Sequence, residues 1–142
     1  MPTALRERLV SVLCDVIPGQ EEPDGALTLR HDNTFASLRV VTIVEDLELV
    51  ALTQVLAWDL PLTNKVRTQV AEQADNTLLG SLTVREKPGP HGRGSSTKNS
   101  DQLADVLLRY NFPGAGLTDE ALRTLILMVL DKGAQIRREI TA

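Results

Sequence analysis

The stretch FASLRVVTIVEDLELVALTQVLAW, residues 35–58, decides the fold. Its first part, residues 35–44, is rich in β-branched side chains, and its second part, residues 47–58, is a long apolar run. Both compositions are typical of β-strands. Because only Glu45 and Asp46 separate the two parts, we predict that they pair as antiparallel strands joined by a tight turn.

Three shorter strands are predicted on either side of this pair. In each of them apolar and polar residues alternate, as expected for a strand with one buried face. They lie at residues 26–30, 81–86 and 104–112. Residues 20–25 precede the first of them and predict a loop, because this segment is polar and contains Pro and Gly. Five strands are therefore expected.

Three helices are predicted from apolar residues repeated at three- and four-residue spacing. They span residues 3–17, 64–77 and 117–138. Thr63 and Thr118 are placed to accept hydrogen bonds from the first turns of the second and third helices. The order αβββαββα, with the strands in hairpins, predicts an α+β domain with a mainly antiparallel five-stranded sheet.

The length and charge of the chain limit its function class. The 142 residues fit one domain, residues 1–142, and the formal charge of −4 disfavours a nucleic-acid binder, which concentrates Lys and Arg on one face. No apolar run approaches the roughly 20 residues that span a bilayer. Residues 1–6 lack the features of a signal peptide. We therefore expect a cytoplasmic protein that binds neither nucleic acid nor membranes.

The reactive side chains predict neither a catalytic centre nor a metal site. Cys14, the one cysteine, lies at the edge of the first apolar stripe and is predicted to be a small buried hydrophobe. His31 falls in a hairpin turn and His91 in a Gly-rich segment, where both are predicted to be exposed. These three residues lack the close ligand pairs of a zinc site. We predict a protein that is not an enzyme and holds no cofactor or metal.

Residues 87–100 form the one long insertion, with three Gly, two Pro and three Ser within fourteen residues. This composition predicts a flexible hairpin tip. A phosphate loop requires Lys directly after its second Gly, at a junction of strand and helix. Here Lys98 comes four residues after Gly94, and the flanking segments are two strands, so the phosphate-loop pattern is not met.

Positive charge in this insertion still allows contact with an anionic surface. It comes from Lys87, Arg93 and Lys98. The alternative function is therefore a sensor of a small anionic ligand or nucleotide that uses the basic tip at residues 87–98.

Excess apolar residues favour a different function, the binding of another polypeptide. Leu127 and Met128 widen the apolar stripe of the last helix, and the run that contains Val50 and Leu52 is apolar on both faces. Such excess is typical of oligomer and partner interfaces, although it also fits a core that has few aromatic side chains. We predict a protein-interaction surface at these four residues, with sheet edges able to receive an extended segment.

The middle of the chain resembles YbjN-type proteins, a bacterial family of sensory transduction regulators that shares the fold of type III secretion chaperones. The resemblance is carried by FASLRV at residues 35–40, VRTQVAEQADN at residues 66–76 and LGSLTV at residues 79–84. In that family a helix rich in small residues and Asn runs into a Gly that opens the fourth strand. The likeness spans residues 26–140, and the longer insertion at residues 87–100 departs from it.

This resemblance implies a non-enzymatic protein, chaperone-like or regulatory, that forms a homodimer and binds another polypeptide. It implies no catalytic residues.

Overall fold

The computed structural model describes residues 4–88 and 102–142. Within them the helices are α1 (Leu5–Leu13), α2 (Asn64–Asn76) and α3 (Asp119–Thr141). The strands are β1 (Gly19–Glu21), β2 (Leu27–His31), β3 (Thr34–Val44), β4 (Leu47–Pro61), β5 (Ser81–Pro88) and β6 (Gln102–Pro113). The predicted α+β class is confirmed.

The strands form one antiparallel sheet in the order β1-β2-β3-β4-β6-β5. The pairing of β3 with β4 that residues 35–58 predict is confirmed, with Leu38 opposite Leu52. The chain passes from β4 through α2 and β5 before it returns as β6 beside β4. This crossover leaves β5 at one edge of the sheet and β1 at the other.

The described sheet has six strands, so the predicted count of five is wrong. The missed strand is β1, which pairs Gly19 with Leu29 and Glu21 with Leu27. It has three residues, all exposed, so it shows no alternation of apolar and polar side chains. Pairing with β2 across the turn at Gly25, where φ is +95°, makes this segment a strand.

Several element ends also differ from the prediction: β4 continues to Pro61 and α3 to Thr141, and local contacts account for the ends of α1 and β5. α1 ends at Leu13 rather than at Ile17, and the amides of Val16 and Ile17 both donate to the Leu13 carbonyl in a turn. β5 continues two residues into the predicted tip, because Lys87 pairs with Leu103 and Pro88 with Gln102. The remainder of that tip lies outside the described residues.

The predicted caps of α2 and α3 are confirmed. The Thr63 hydroxyl accepts a hydrogen bond from the Val66 amide, and the Thr118 hydroxyl accepts one from the Ala121 amide, each at 3.1 Å. Side-chain caps of this kind satisfy amides that have no partner inside the helix. Each helix begins directly after its cap, α2 at the predicted Asn64 and α3 at Asp119, two residues after the predicted start.

All three helices cover the same face of the sheet. α3 contacts β2, β3 and β4, while α1 and α2 both contact α3. Beneath them lie fully buried strand leucines at Leu29, Leu38, Leu52 and Leu108. Burial of each such side chain stabilises the fold by about 1.5–3 kcal/mol. The main core therefore lies between this face and α3.

One polar side chain, Gln54, is buried in this core. Its Nε2 donates to the Thr34 hydroxyl at 2.9 Å and to the Leu130 carbonyl of α3 at 3.1 Å, whereas its Oε1 accepts no hydrogen bond from the described residues. A β-carbon at Gly133 would lie 1.9 Å from this oxygen. Gly133 therefore provides the space that lets α3 pass over the amide.

Candidate interaction surface

The opposite face of the sheet is covered by none of the described helices, and we call it the helix-free face. Successive side chains of a strand point to opposite faces, so the neighbours of the buried leucines point to this side. By strand alternation and register, the residues on this face include Arg30, Phe35, Ser37, Arg39, Val41, Leu49, Ala51, Thr53, Val55, Ser81, Thr83, Arg85, Leu107, Arg109 and Asn111.

Aliphatic residues occupy one end of this face, where the β3–β4 hairpin projects beyond its neighbours. Val41 pairs with Leu49, and Val44 pairs with Leu47 after a bulge that contains Ile43. Among the described residues, the outer side of β3 has no partner beyond Leu38, and the end of the hairpin is paired there only with itself. The exposed aliphatic cluster consists of Val41, Ile43, Val44 and Leu47.

Aromatic side chains mark the other end of the face. Phe35, Val55 and Leu107 form a row across β3, β4 and β6, and the Phe35 side chain is 49% exposed. Trp58 follows the buried Ala57 on β4, and it is 62% exposed. Large exposed apolar side chains on a surface of this kind are typical of an interaction site.

Arginines accompany these apolar residues. The Arg30 guanidinium lies 5.9 Å from the centre of the Phe35 ring, a distance that permits a cation–π interaction. Arg39 forms an ion pair with Asp24, whose carboxyl pKa is held below its ordinary value by that hydrogen bond and by a second from the Ala26 amide. Arg109 is exposed on the central row of the face.

A cluster of one lysine and two aspartates lies at the aromatic end of the face. The Lys87 ammonium contacts both Asp59 and Asp105, and the Asp59 amide donates to Asp105 at 3.0 Å. The hydrogen bonds to these carboxylates raise the pKa of Lys87. The Lys87 hydrogen bond in turn lowers the pKa of Asp105, with a smaller contribution from Arg85.

Three concavities adjoin the arginines. Cavities of about 610 Å³ and 220 Å³ both have Arg30 and Phe35 among their lining residues. A third, of about 560 Å³, is lined by Arg109 together with Ser81 and Thr83. Each of these two arginines therefore stands beside a space that a ligand group can enter.

The four predicted contact residues are not brought together. Val50 and Leu52 are fully buried on the helix-covered face, so their prediction as contact surface is corrected. Leu127 is half-buried against the core, and Met128 is exposed on α3. Met128 lines a groove of about 550 Å³ between α3 and the loop after α2, where Leu78 is 90% exposed.

Of the predicted anion contacts, the structure describes Lys87 alone, and that ammonium is engaged by Asp59 and Asp105. Arg93, Lys98 and His91 lie outside the described residues.

Two predictions about reactive side chains are corrected. Cys14 is exposed, because α1 ends before it, and partial burial raises the pKa of its thiol. His31 is half-buried, and its Nε2 lies 2.7 Å from Asp131 Oδ1 on α3. Within residues 4–88 and 102–142, no group of three or more His, Cys, Asp and Glu side chains is arranged to hold a metal ion.

The sequence reasoning missed Phe35, Trp58 and Arg109 as surface residues. The signal that could have found them is the strand alternation itself, because each one follows or precedes a side chain that is buried under the helices.

Comparison with protein-family models, with curated proteins and with solved structures finds no match. None of the helices in the described part of the chain has both the length and the apolar character needed to cross a membrane.

Proposed function

We propose that the protein is a non-enzymatic binding module for another polypeptide and that the partner docks on the helix-free face. The observation that carries the proposal is the one-sided cover of the sheet. Phe35 and Trp58 are about half exposed on a wide antiparallel surface, although such aromatic side chains are usually more deeply buried. A docked polypeptide would remove them from water.

The finer parts of the proposal rest on the resemblance to YbjN-type proteins and type III secretion chaperones. They are a chaperone-like or regulatory role, a homodimeric state and a cytoplasmic location. The described order α-β-β-β-β-α-β-β-α contains the order expected from the resemblance, with the short β1 added, and this supports the proposal.

The alternative, a sensor of a small anionic ligand that uses residues 87–98, has less support. The Lys87 ammonium is neutralised by Asp59 and Asp105, so an anion at Lys87 would have to displace these carboxylates. Exchanging one anionic partner for another brings little net electrostatic gain at an exposed site.

Affinity capture with paired variants tests the proposal. The tagged protein is incubated with lysate of the source organism, and stoichiometric partners are identified by mass spectrometry. We expect the double variant Phe35→Ser and Trp58→Ser to lose at least about tenfold in captured partner, which corresponds to about 1.4 kcal/mol of binding free energy. Both residues are exposed, so circular dichroism should show an unchanged fold.

Leu78→Ser is the matched control, because Leu78 is even more exposed and lies near α3 rather than on the helix-free face. The control should capture as much partner as the wild type. Loss of partner in the Leu78→Ser variant alone would place binding in the α2–α3 groove and reject the helix-free face. A monomer in light scattering that captures no stoichiometric partner would reject the binding function.

A further inference from the structure

We propose that the partner segment is acidic and extended, and that it crosses the helix-free face between Arg30 and Arg109. This inference rests on the proposed function and names the chemistry of its partner. The chain has a formal charge of −4, yet the helix-free face carries four exposed arginines. They are Arg30 on β2, Arg39 on β3, Arg109 on β6 and Arg85 on β5.

Arg30 and Arg109 are available for a carboxylate, whereas Arg85 lies opposite Asp105. Within the described residues, neither Arg30 nor Arg109 forms an ion pair, whereas Arg39 is paired with Asp24. The cation–π contact between Arg30 and the Phe35 ring, at 5.9 Å, favours one orientation of the guanidinium and so reduces the side-chain entropy lost on binding. A planar, exposed guanidinium can form a two-pronged hydrogen bond to a carboxylate.

A row of hydroxyl groups contains Arg109 and lies next to the row of Arg30. Ser37 pairs with Thr53, Thr53 pairs with Arg109, and Arg109 pairs with Ser81, so one cross-strand row carries three hydroxyls and one guanidinium. The neighbouring row carries Phe35, Val55 and Leu107 beside Arg30. A segment that lies along these rows would meet both hydrogen-bonding groups and apolar groups.

The spacing fits a short extended peptide. Three strand spacings separate β2 from β6, and at about 4.8 Å each they place Arg30 and Arg109 about 14 Å apart across the sheet. An extended chain advances about 3.3 Å per residue, so carboxylates about four residues apart can reach both guanidinium groups. An apolar side chain between these carboxylates would contact Phe35 and Val55, whereas Leu107 is already buried.

Carboxylates at both ends of the face argue against a nucleic acid. Asp59 and Asp105 lie at the aromatic end, and Glu45 and Asp46 form the turn at the aliphatic end. A phosphate chain that ran along the strands would approach these groups and be repelled. A peptide that crosses the strands from Arg30 to Arg109 passes the inner edge of the aromatic end, beside Phe35, and does not run over Asp59 and Asp105.

A second copy of the chain fits the face less well. A two-fold pairing of this face with itself would bring arginines of the two copies together, because each side of such an interface presents the same surface. Within the described residues Asp24 neutralises only Arg39 of the four, so Arg30, Arg85 and Arg109 of both copies would add unpaired positive charge to such an interface.

The emission of Trp58, the single tryptophan, provides a direct binding signal from this face. The probe is a soluble peptide with the repeat Glu-Ser-Val-Ser, in which glutamates four residues apart and the valine between them point to the same side of an extended chain. The control peptide has lysine in place of each glutamate. We expect a blue shift of Trp58 emission with the acidic peptide, binding at least about tenfold tighter than for the lysine peptide, and a loss of affinity as salt is added.

Charge-matched variants locate the contact. Arg30→Gln and Arg109→Gln should each weaken the acidic peptide by about two- to fivefold, as expected for exposed ion pairs. The control Arg123→Gln removes the same charge from an exposed position on α3 and should leave the affinity unchanged. Equal losses in all three variants would indicate a general charge effect and overturn the assigned contact.

Other outcomes separate this inference from the proposed function. Equal binding of the two peptides, or no binding of either, overturns the acidic partner, whereas the capture experiment with Phe35 and Trp58 still decides the proposed function. Tighter binding of an oligouridine than of the acidic peptide, lost in Arg30→Gln and Arg109→Gln, would overturn the polypeptide partner in favour of a nucleic acid.

Discussion

The two faces of the same sheet differ in what their apolar residues do. On β4, Leu52 is 0% exposed under the helices, whereas Leu47 is 39% exposed on the helix-free side. Both faces of β3 and β4 are rich in aliphatic residues, so hydrophobicity alone does not distinguish them. The placement of α1, α2 and α3 distinguishes the two faces, because the aliphatic residues under the helices form the core and those on the helix-free face remain at the surface.

The largest expected effect is a change in the free energy of unfolding, and a comparison of two leucines of β4 tests it. Leu52→Ala should lower the free energy of unfolding by about 3 kcal/mol, since it removes buried methyl groups and leaves a cavity. Leu47→Ala should lower it by less than about 1 kcal/mol, because that side chain is already partly in water. Urea unfolding of both variants measures the difference. Similar losses in the two variants would mean that the helix-free face is also buried in the isolated protein.

The next effect concerns the fit of α3 to the covered face. Gly133→Ala should lower the free energy of unfolding by about 2 kcal/mol, because its β-carbon would overlap the Gln54 amide. Gly116→Ala is the control, since a β-carbon there meets nothing within 4 Å. The same unfolding measurement applies to both glycines.

A double variant tests the cause. Adding Gln54→Ala to Gly133→Ala removes the overlapping amide. The double variant should therefore lose about 1 kcal/mol less free energy of unfolding than the sum of the two single losses. Strict additivity would show that the cost of Gly133→Ala arises elsewhere in α3.

The smallest expected effect concerns the ionic cluster on the helix-free face. Lys87→Met should raise the pKa of Asp105 towards its ordinary value of about 3.9, because the hydrogen bond that lowers it is lost. The stability from a lowered carboxylate pKa is present above that ordinary value and is lost as the pH falls through the lowered pKa. The stability from the raised pKa of Lys87 is present below about 10.4 and is lost as the pH rises through the raised value.

Carboxyl titration by NMR and melting temperatures across the pH range measure these changes. The melting temperature of the wild type should exceed that of Lys87→Met near neutral pH, and the difference should shrink at both extremes. Lys65→Met, on an exposed position of α2, is the control and should leave Asp105 unchanged. An unchanged pKa of Asp105 in the Lys87 variant would contradict the described ion pair.

Much of the fold could be predicted because local signals and tertiary contacts agree. The β3–β4 hairpin has two long β-favouring runs and one short turn, and α2 and α3 have hydroxyl caps that are present in the structure. β1 lacks such signals, since its three residues become a strand only through pairing with β2. The end of α1 was misplaced because Val16 and Ile17 extend the apolar pattern into a turn.

The candidate surface was harder to predict than the fold. A strand with apolar residues on both faces does not show which face a helix will cover, and a change of one residue exchanges the two faces. Val50 and Leu52 were therefore chosen on the buried side, while Val55 and Trp58 of the same strand lie on the exposed side. Gln54, a polar residue in the middle of the run, did not identify the exposed face, because its side chain is buried and forms hydrogen bonds to Thr34 and Leu130.

The unpaired outer side of β3 near the hairpin end has a consequence for solubility. A bare strand edge with exposed Ile43 and Val44 is a template on which other chains can add strands and aggregate. Charged side chains lie at both ends of this edge, the Arg39–Asp24 ion pair at its start and Glu45 at its end. A second copy that added a strand at this edge would bring its own carboxylates next to Glu45 of the first copy and remove both from water. This cost opposes edge-to-edge growth, so the acidic turn protects the protein from aggregation.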